Sequence, residues 1–83
     1  MQRTAEEFVH QLPNGRWFVG DFLGTCRAGQ AIFLIERRPG GRVAEMSLSF
    51  VASAASGVRT YSAKASAKRA AQRMIERVLR EEL

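Results

Sequence analysis

The stretch AIFLIERRPGGRVAEMSLSFVA, residues 31–52, decides the fold that the sequence predicts. Over residues 42–52, apolar and polar side chains alternate, and the apolar set is Ala44, Met46, Leu48 and Phe50. Such alternation is typical of a strand that is buried on one face. Residues 31–38, AIFLIERR, begin with an apolar run and predict a partner strand. The Pro-Gly-Gly segment at residues 39–41 suits a tight turn between the two strands. We therefore expect an antiparallel hairpin here.

Upstream of this hairpin, the segment RWFVGDFLGT, residues 16–25, is rich in aromatic and branched side chains and predicts a further strand. The first residues carry two conflicting signals. Thr-Ala-Glu-Glu at residues 4–7 has the spacing of a helix capping box. Asn-Gly at residues 14–15 instead predicts a hairpin in which residues 4–12 are a strand. Both interpretations stay open, and the Asn-Gly turn is the sharper local signal.

The last part of the chain predicts a long amphipathic helix. Ser62 is a suitable N-cap, and neither glycine nor proline follows it. At about 100° per residue, one apolar stripe collects Ala63, Ala67, Ala70, Ala71, Met74, Ile75, Val78 and Leu79. We expect this stripe to pack on the sheet. The predicted fold is a single α+β domain, residues 1–83, with a three- or four-stranded antiparallel sheet packed on one face by a long C-terminal helix.

Both faces of the strand at residues 16–25 are apolar, with Trp17, Val19 and Leu23 on one side and Phe18 and Phe22 on the other. One helix covers only one side of a small sheet. The second face therefore needs the N-terminal segment, a ligand, or a second copy of the chain in a homodimer. We interpret Trp17 and Phe18 as core residues rather than as a platform for stacked bases.

The positive charge is concentrated near the C-terminus. The chain holds 13 basic and 8 acidic residues, a net charge of +5. Residues 59–80 contain seven of the basic residues and a single acidic one, Glu76. This asymmetry is typical of proteins that bind nucleic acid or another anionic surface. The alternative is a solvated helix face whose arginines reflect genomic base composition.

Candidate phosphate-binding residues come from this helix and from the hairpin. Arg69, Arg73 and Arg77 follow one another at four-residue spacing. Like charges at that spacing destabilise an isolated helix slightly, so an uncompensated ridge favours an external anion. Basic residues also flank the predicted hairpin turn. The predicted nucleic-acid-binding residues are Arg37, Arg38, Arg42, Arg59, Lys64, Lys68, Arg69, Arg73 and Arg77.

Other classes of function find little support. The chain has one histidine, His10, one cysteine, Cys26, and one aspartate, so we expect no enzyme activity, metal site or cofactor. The longest run of large apolar residues, residues 32–35, is too short for a membrane span, and the first residues lack a signal-peptide core. We therefore expect a cytoplasmic protein.

The pattern Ser-x-Lys-x-x-x-x-x-Ala-Ala-x-x-Met-Ile at residues 62–75 resembles the last helix of double-stranded RNA-binding domains. The resemblance covers 14 residues and implies that Lys64 and Lys68 contact phosphates while the paired alanines pack on a sheet. Residues 61–67 also resemble the strand-to-helix junction of the YegP-like repeat family, which implies a shared design of sheet and helix.

The sequence thus predicts a small non-catalytic nucleic-acid-binding domain, with the type of nucleic acid left open. The alternative is a protein-interaction module, such as a small inhibitor or adaptor from a mobile element, whose basic helix meets an acidic protein and which is dimeric through the second sheet face. Membrane-surface binding is disfavoured, because the apolar face of the helix is needed for packing and lacks aromatic residues.

Overall fold

A computed structural model describes residues 3–37 and 41–82. The strands are β1 (Val9–Gln11), β2 (Trp17–Val19), β3 (Asp21–Thr25), β4 (Ala31–Glu36) and β5 (Val43–Ser47). The α-helices are α1 (Leu48–Val51) and α2 (Lys64–Glu82), and single turns of 3-10 helix lie at Ala5–Phe8 and Ala54–Ser56. The predicted α+β class, with antiparallel strands and a long C-terminal helix packed on them, is confirmed.

The strands form two antiparallel sheets, β1–β2 and β3–β4–β5. Gly20 alone separates β2 from β3, so the two sheets follow each other along one stretch of chain. The predicted hairpin is confirmed as the β4–β5 pair, in which Phe33 lies opposite Met46 and Ile35 lies opposite Ala44. Most of its predicted turn, at residues 39–41, lies outside the described residues.

The two signals in the N-terminal segment are both correct. Thr4 and Glu7 form the predicted capping box, and it starts the turn of 3-10 helix at Ala5–Phe8. The chain then enters β1, which pairs with β2 across the Asn-Gly turn. A capping box and a hairpin turn act on different residues, so one short segment satisfies both.

The predicted strand over residues 42–52 is wrong after Ser47. The Ser47 hydroxyl accepts a hydrogen bond from the Phe50 backbone N–H at 3.3 Å, and this cap starts α1. Val51 then turns inward and is 2 % exposed, whereas Phe50 is 44 % exposed. A local serine cap therefore overrides the alternating pattern, because it satisfies a backbone donor that the strand would leave unpaired at a sheet edge.

The first core cluster lies on the Phe18 side of the sheets. Phe18 is fully buried, and it packs with Leu12, Phe33, Ile35, Met46 and Val51. Leu48 and Val58 close this cluster from the segment between β5 and α2. The second face of the predicted sheet is thus covered here by the chain itself, and Trp17 and Phe18 both belong to the core clusters.

The second core cluster lies beneath the first half of α2. Ala67 and Ala71 are fully buried against Ala5 and Val9, with Trp17, Val19 and Ile75 packed around them. The prediction of a continuous buried stripe is wrong at both ends. Ala63 is exposed and precedes α2, which begins at Lys64, and Val78 and Leu79 are each 44 % exposed. The helix has 19 residues, about 28 Å at 1.5 Å per residue, and it outruns the short strands β1 and β2 on which it packs.

None of the helices in the described part of the chain has the length and apolar character that crossing a membrane requires.

Candidate nucleic-acid interface

A groove of about 540 Å³ lies between the second half of α2 and the sheet. Its lining includes arginines from three parts of the chain, and we call it the arginine groove: Arg37, Arg59, Arg73, Arg77 and Arg80. It exists because α2 continues past the strands that anchor its first half. The space left between helix and sheet is open to solvent on one side.

Each arginine is placed by the element that carries it. Arg73, Arg77 and Arg80 are at positions i, i+4 and i+7 of α2, so they share one flank of the helix. Arg37 directly follows β4, and Arg59 comes two residues before Tyr61. The Tyr61 backbone is held against β2 by two hydrogen bonds with Trp17, each 2.8 Å long.

The five guanidinium groups differ in how far the protein already engages them. Arg77 forms an ion pair with Glu36 that joins α2 to β4. Arg37 donates from Nη2 to the Ser56 carbonyl at 3.0 Å. Within residues 3–37 and 41–80, no carboxylate forms an ion pair with Arg73 or Arg80. Both of these arginines are exposed, as is Arg59, whose guanidinium group lies over the Tyr61 ring.

The groove is also electropositive as a whole. Among the described residues, Glu36 and Glu76 are the carboxylates in its lining, so the five arginines leave an excess of three positive charges there. The surrounding walls are partly apolar, which strengthens the field inside a concave surface. A guanidinium group presents a planar fork of N–H donors that matches the oxygens of a phosphate. The arrangement therefore suits an anion with several negative charges.

Lys64 and Lys68 lie on the opposite flank of α2. Both form ion pairs with Glu6, at 2.5 and 3.2 Å, and these contacts hold the pKa of Glu6 below its ordinary 4.5, with Lys64 contributing most. Nine positions separate Lys64 from Arg73 and Lys68 from Arg77. At 100° per residue this is about two and a half turns, so the lysines and the arginines point to opposite sides of the helix. The structure thus does not bring the two lysines to the groove.

Arg69 and Arg42 also stand apart from the groove. Arg69 is exposed and donates to the Ser66 hydroxyl at 3.3 Å. Arg42 is exposed just before β5, and its carbonyl accepts from the Arg37 backbone N–H at 3.2 Å. Arg38 lies outside the described residues.

Several residues of the groove were not among the predicted site residues, and Arg80, Tyr61 and Met74 are examples. Arg80 could have been predicted from the sequence, because it follows Arg73 by seven residues and this spacing places both on one flank of a helix. Tyr61 and Met74 also line the groove. Their patterns indicate a strand-to-helix junction and a core stripe, and no local signal distinguishes a buried position from the wall of a groove.

The single histidine lies away from this site. His10 packs on Phe18 and Phe33, with ring centroids 5.5 and 4.7 Å apart, and its Nε2 lies 2.9 Å from the Gly20 carbonyl. Burial lowers its pKa from the ordinary 6.5. Among the residues that the structure describes, no group of three histidine, cysteine or acidic side chains is placed to hold a metal ion.

Comparisons of the chain with protein-family models, with curated proteins and with solved structures returned no match. The resemblances to double-stranded RNA-binding domains and to the YegP-like family therefore stay predictions.

Proposed function

We propose that this protein is a small non-catalytic nucleic-acid-binding domain, and that the arginine groove holds the phosphate backbone of its ligand. The observation that carries this proposal is the convergence of five arginines from α2, β4 and the segment before α2 on one concave surface. Arginines used only for solubility have no reason to converge. Guanidinium groups without carboxylate partners are the usual means by which proteins contact phosphates.

The division of the helix cations supports a specific surface rather than a general basic coat. On one flank of α2, the single carboxylate of Glu6 pairs with both Lys64 and Lys68 and leaves one excess positive charge. On the other, the described lining of the arginine groove keeps an excess of three positive charges. A phosphate chain would therefore be drawn to the arginine flank, where more positive charge is left over.

An acidic protein partner is the second candidate. The exposed side chains of Val78 and Leu79, together with Leu34 and Val43, form an apolar surface between α2 and the sheet on the side away from Arg73. Protein interfaces combine an apolar centre with a charged rim, so this surface beside the arginine groove favours a protein ligand.

A salt titration tests the leading proposal. Labelled duplex and single-stranded oligonucleotides are titrated with the protein at several salt concentrations, and the logarithm of the binding constant is plotted against that of the salt concentration. For duplex DNA each neutralised phosphate contributes about −0.9 to the slope. We expect Arg73→Ala to weaken binding and to reduce the steepness of the slope by about one.

Lys68→Ala is the matched control, because it removes one positive charge from the same helix on the opposite flank. We expect it to leave the slope nearly unchanged. Equal effects of the two variants would show that binding depends on net charge and not on the groove. Absence of binding at low salt would reject the nucleic-acid proposal and leave the acidic protein as the better candidate.

A further inference from the structure

The lining of the arginine groove is mixed in chemistry. Besides the guanidinium groups it contains apolar and aromatic side chains, which we call the apolar floor: Val19, Ile35, Val58, Tyr61 and Met74. Ile35 is 1 % exposed, whereas Val19, Tyr61 and Met74 are each partly accessible. A phosphate gains nothing from an apolar floor. The floor therefore indicates a ligand that carries a flat or apolar group next to its negative charge.

The size of the groove is consistent with such a ligand. Its volume of about 540 Å³ falls within the range of about 300 to 1,000 Å³ that proteins use to hold small molecules. A nucleobase with its sugar and phosphate is a ligand of this scale. The groove is also open along one side, so a chain can enter and leave it.

Tyr61 and Arg59 provide a surface on which a base can stack. The Arg59 guanidinium carbon lies 5.5 Å from the centre of the Tyr61 ring, the geometry of a cation–π contact. Bases of single-stranded nucleic acids stack on aromatic rings and on guanidinium planes. The backbone hydrogen bonds between Tyr61 and Trp17 hold this surface in place before any ligand arrives.

We propose that the arginine groove binds single-stranded nucleic acid, with one unpaired base on the floor beside Tyr61 and Met74 and the flanking phosphates on Arg73 and Arg80. This inference rests on the proposed function and adds the form of the ligand. In a duplex, each base is paired and enclosed between two backbones. The phosphates of a duplex can therefore reach the guanidinium groups, but its bases cannot reach the apolar floor. Binding of a single strand therefore uses both parts of the groove.

The experiment compares three ligands of equal length with the full chain: a mixed-sequence single strand, the corresponding duplex, and an abasic single strand that keeps the phosphates and lacks the bases. Affinities are measured at a salt concentration high enough to weaken the phosphate contacts. We expect the complete single strand to bind about tenfold more tightly than the abasic strand, because stacking of a base on an aromatic side chain raises affinity between about fivefold and about a hundredfold. We also expect it to bind more tightly than the duplex.

Two variants test whether the preference for a strand with bases arises at the apolar floor. Tyr61→Leu removes the aromatic ring and keeps an apolar side chain, and Met74→Gln makes the floor polar at nearly constant shape. We expect each to bring the affinity for the complete strand close to that for the abasic strand, with the salt dependence unchanged. Thermal unfolding of both variants establishes that the fold is retained, and Met74→Gln serves if Tyr61→Leu does not fold.

The outcomes separate the two proposals. Equal affinity for the complete and abasic strands, or tighter binding of the duplex, would overturn the assignment of a single strand and leave the phosphate-binding groove intact. A preference for bases that both variants retain would also overturn it. Failure of all three ligands to bind at low salt would overturn the proposed function as well.

Discussion

Gly20 packs directly against Ile35: a Cβ atom at position 20 would lie 2.9 Å from the Ile35 Cγ1 atom. This close approach occurs at the junction of β2 and β3, where the chain passes from one sheet into the other. Any side chain here would displace a residue of the Phe18 core cluster. Glycine is therefore required by the packing of two neighbouring segments and not by its own backbone angles.

We predict that Gly20→Ala destabilises the protein by about 1 to 3 kcal/mol, the usual cost of forcing extra atoms into a packed core. The free energy of unfolding is measured by urea denaturation. The double variant Gly20→Ala with Ile35→Ala tests the cause, because truncation at position 35 removes the atom that clashes. Strict additivity of the two single effects would contradict the proposed contact.

We predict a similar loss, about 1 to 3 kcal/mol, for Ala71→Leu, because Ala71 is fully buried where the first half of α2 approaches β1 and β2. Ala65→Leu is the matched control. Ala65 lies on the same helix and is exposed, so its substitution is expected to change the unfolding free energy by no more than about 0.5 kcal/mol. Comparable losses from both variants would show that the close helix contact is absent.

We predict that the imidazole of His10 titrates below its ordinary pKa of 6.5, because burial disfavours the charged ring. The unfolded chain then binds more protons than the folded one between the two pKa values. Stability is accordingly lost as the pH falls from about 6.5 through the folded pKa. His10 is the single histidine, so its NMR titration is unambiguous. A midpoint at or above 6.5 would contradict the buried placement.

We predict that the pKa of the Glu6 carboxyl is also lowered, so that it stays charged below its ordinary pKa of 4.5, because Lys64 and Lys68 both contact it. A lowered folded pKa means that its stabilising effect is present above pH 4.5 and is lost as the pH falls through the folded value. Carboxyl NMR titration measures the pKa directly. In the Lys64→Ala variant the midpoint should move back toward 4.5, and an unchanged midpoint would exclude the contact.

We predict that Glu76→Gln raises the affinity for nucleic acid several-fold at low salt. Glu76 is exposed and is one of two carboxylates in the lining of the arginine groove, so its loss removes repulsion of the incoming phosphates. Glu45→Gln makes the same change of charge on β5, outside the groove lining. Its effect should be clearly smaller. Equal gains from the two variants would show that net charge, and not the groove, governs binding.

Local patterns explain which parts of the fold were predictable. The alternation around Met46 and the Asn-Gly turn act over a few residues, and both appear in the structure as predicted. The end of β5 was not predictable in this way, because Leu48 and Phe50 continue the alternation while the Ser47 hydroxyl ends it. The contact between Gly20 and Ile35 depends on residues 15 positions apart, which no local pattern reports.

The same distinction between local patterns and contacts of distant residues applies to the candidate site. The helix positions of Arg73 and Arg77 predicted a shared flank, and the structure places both on the groove. The neutralisation of Lys64 by Glu6 was not predictable, because it joins residues at opposite ends of the chain. The meeting of Arg37 and Arg59 with the helix arginines depends on tertiary packing in the same way.

The long helix α2 is anchored by Ala67 and Ala71, whereas three of the five groove arginines, Arg73, Arg77 and Arg80, come from its later turns. Under the proposed function, folding and recognition therefore belong to separate segments of one helix. Substitutions of the exposed Arg73 and Arg80 would then alter which ligand is preferred and leave the anchoring alanines in place. A chain arranged in this way would be suited to rapid diversification, since selection could act on its outer turns while the anchoring residues stay fixed.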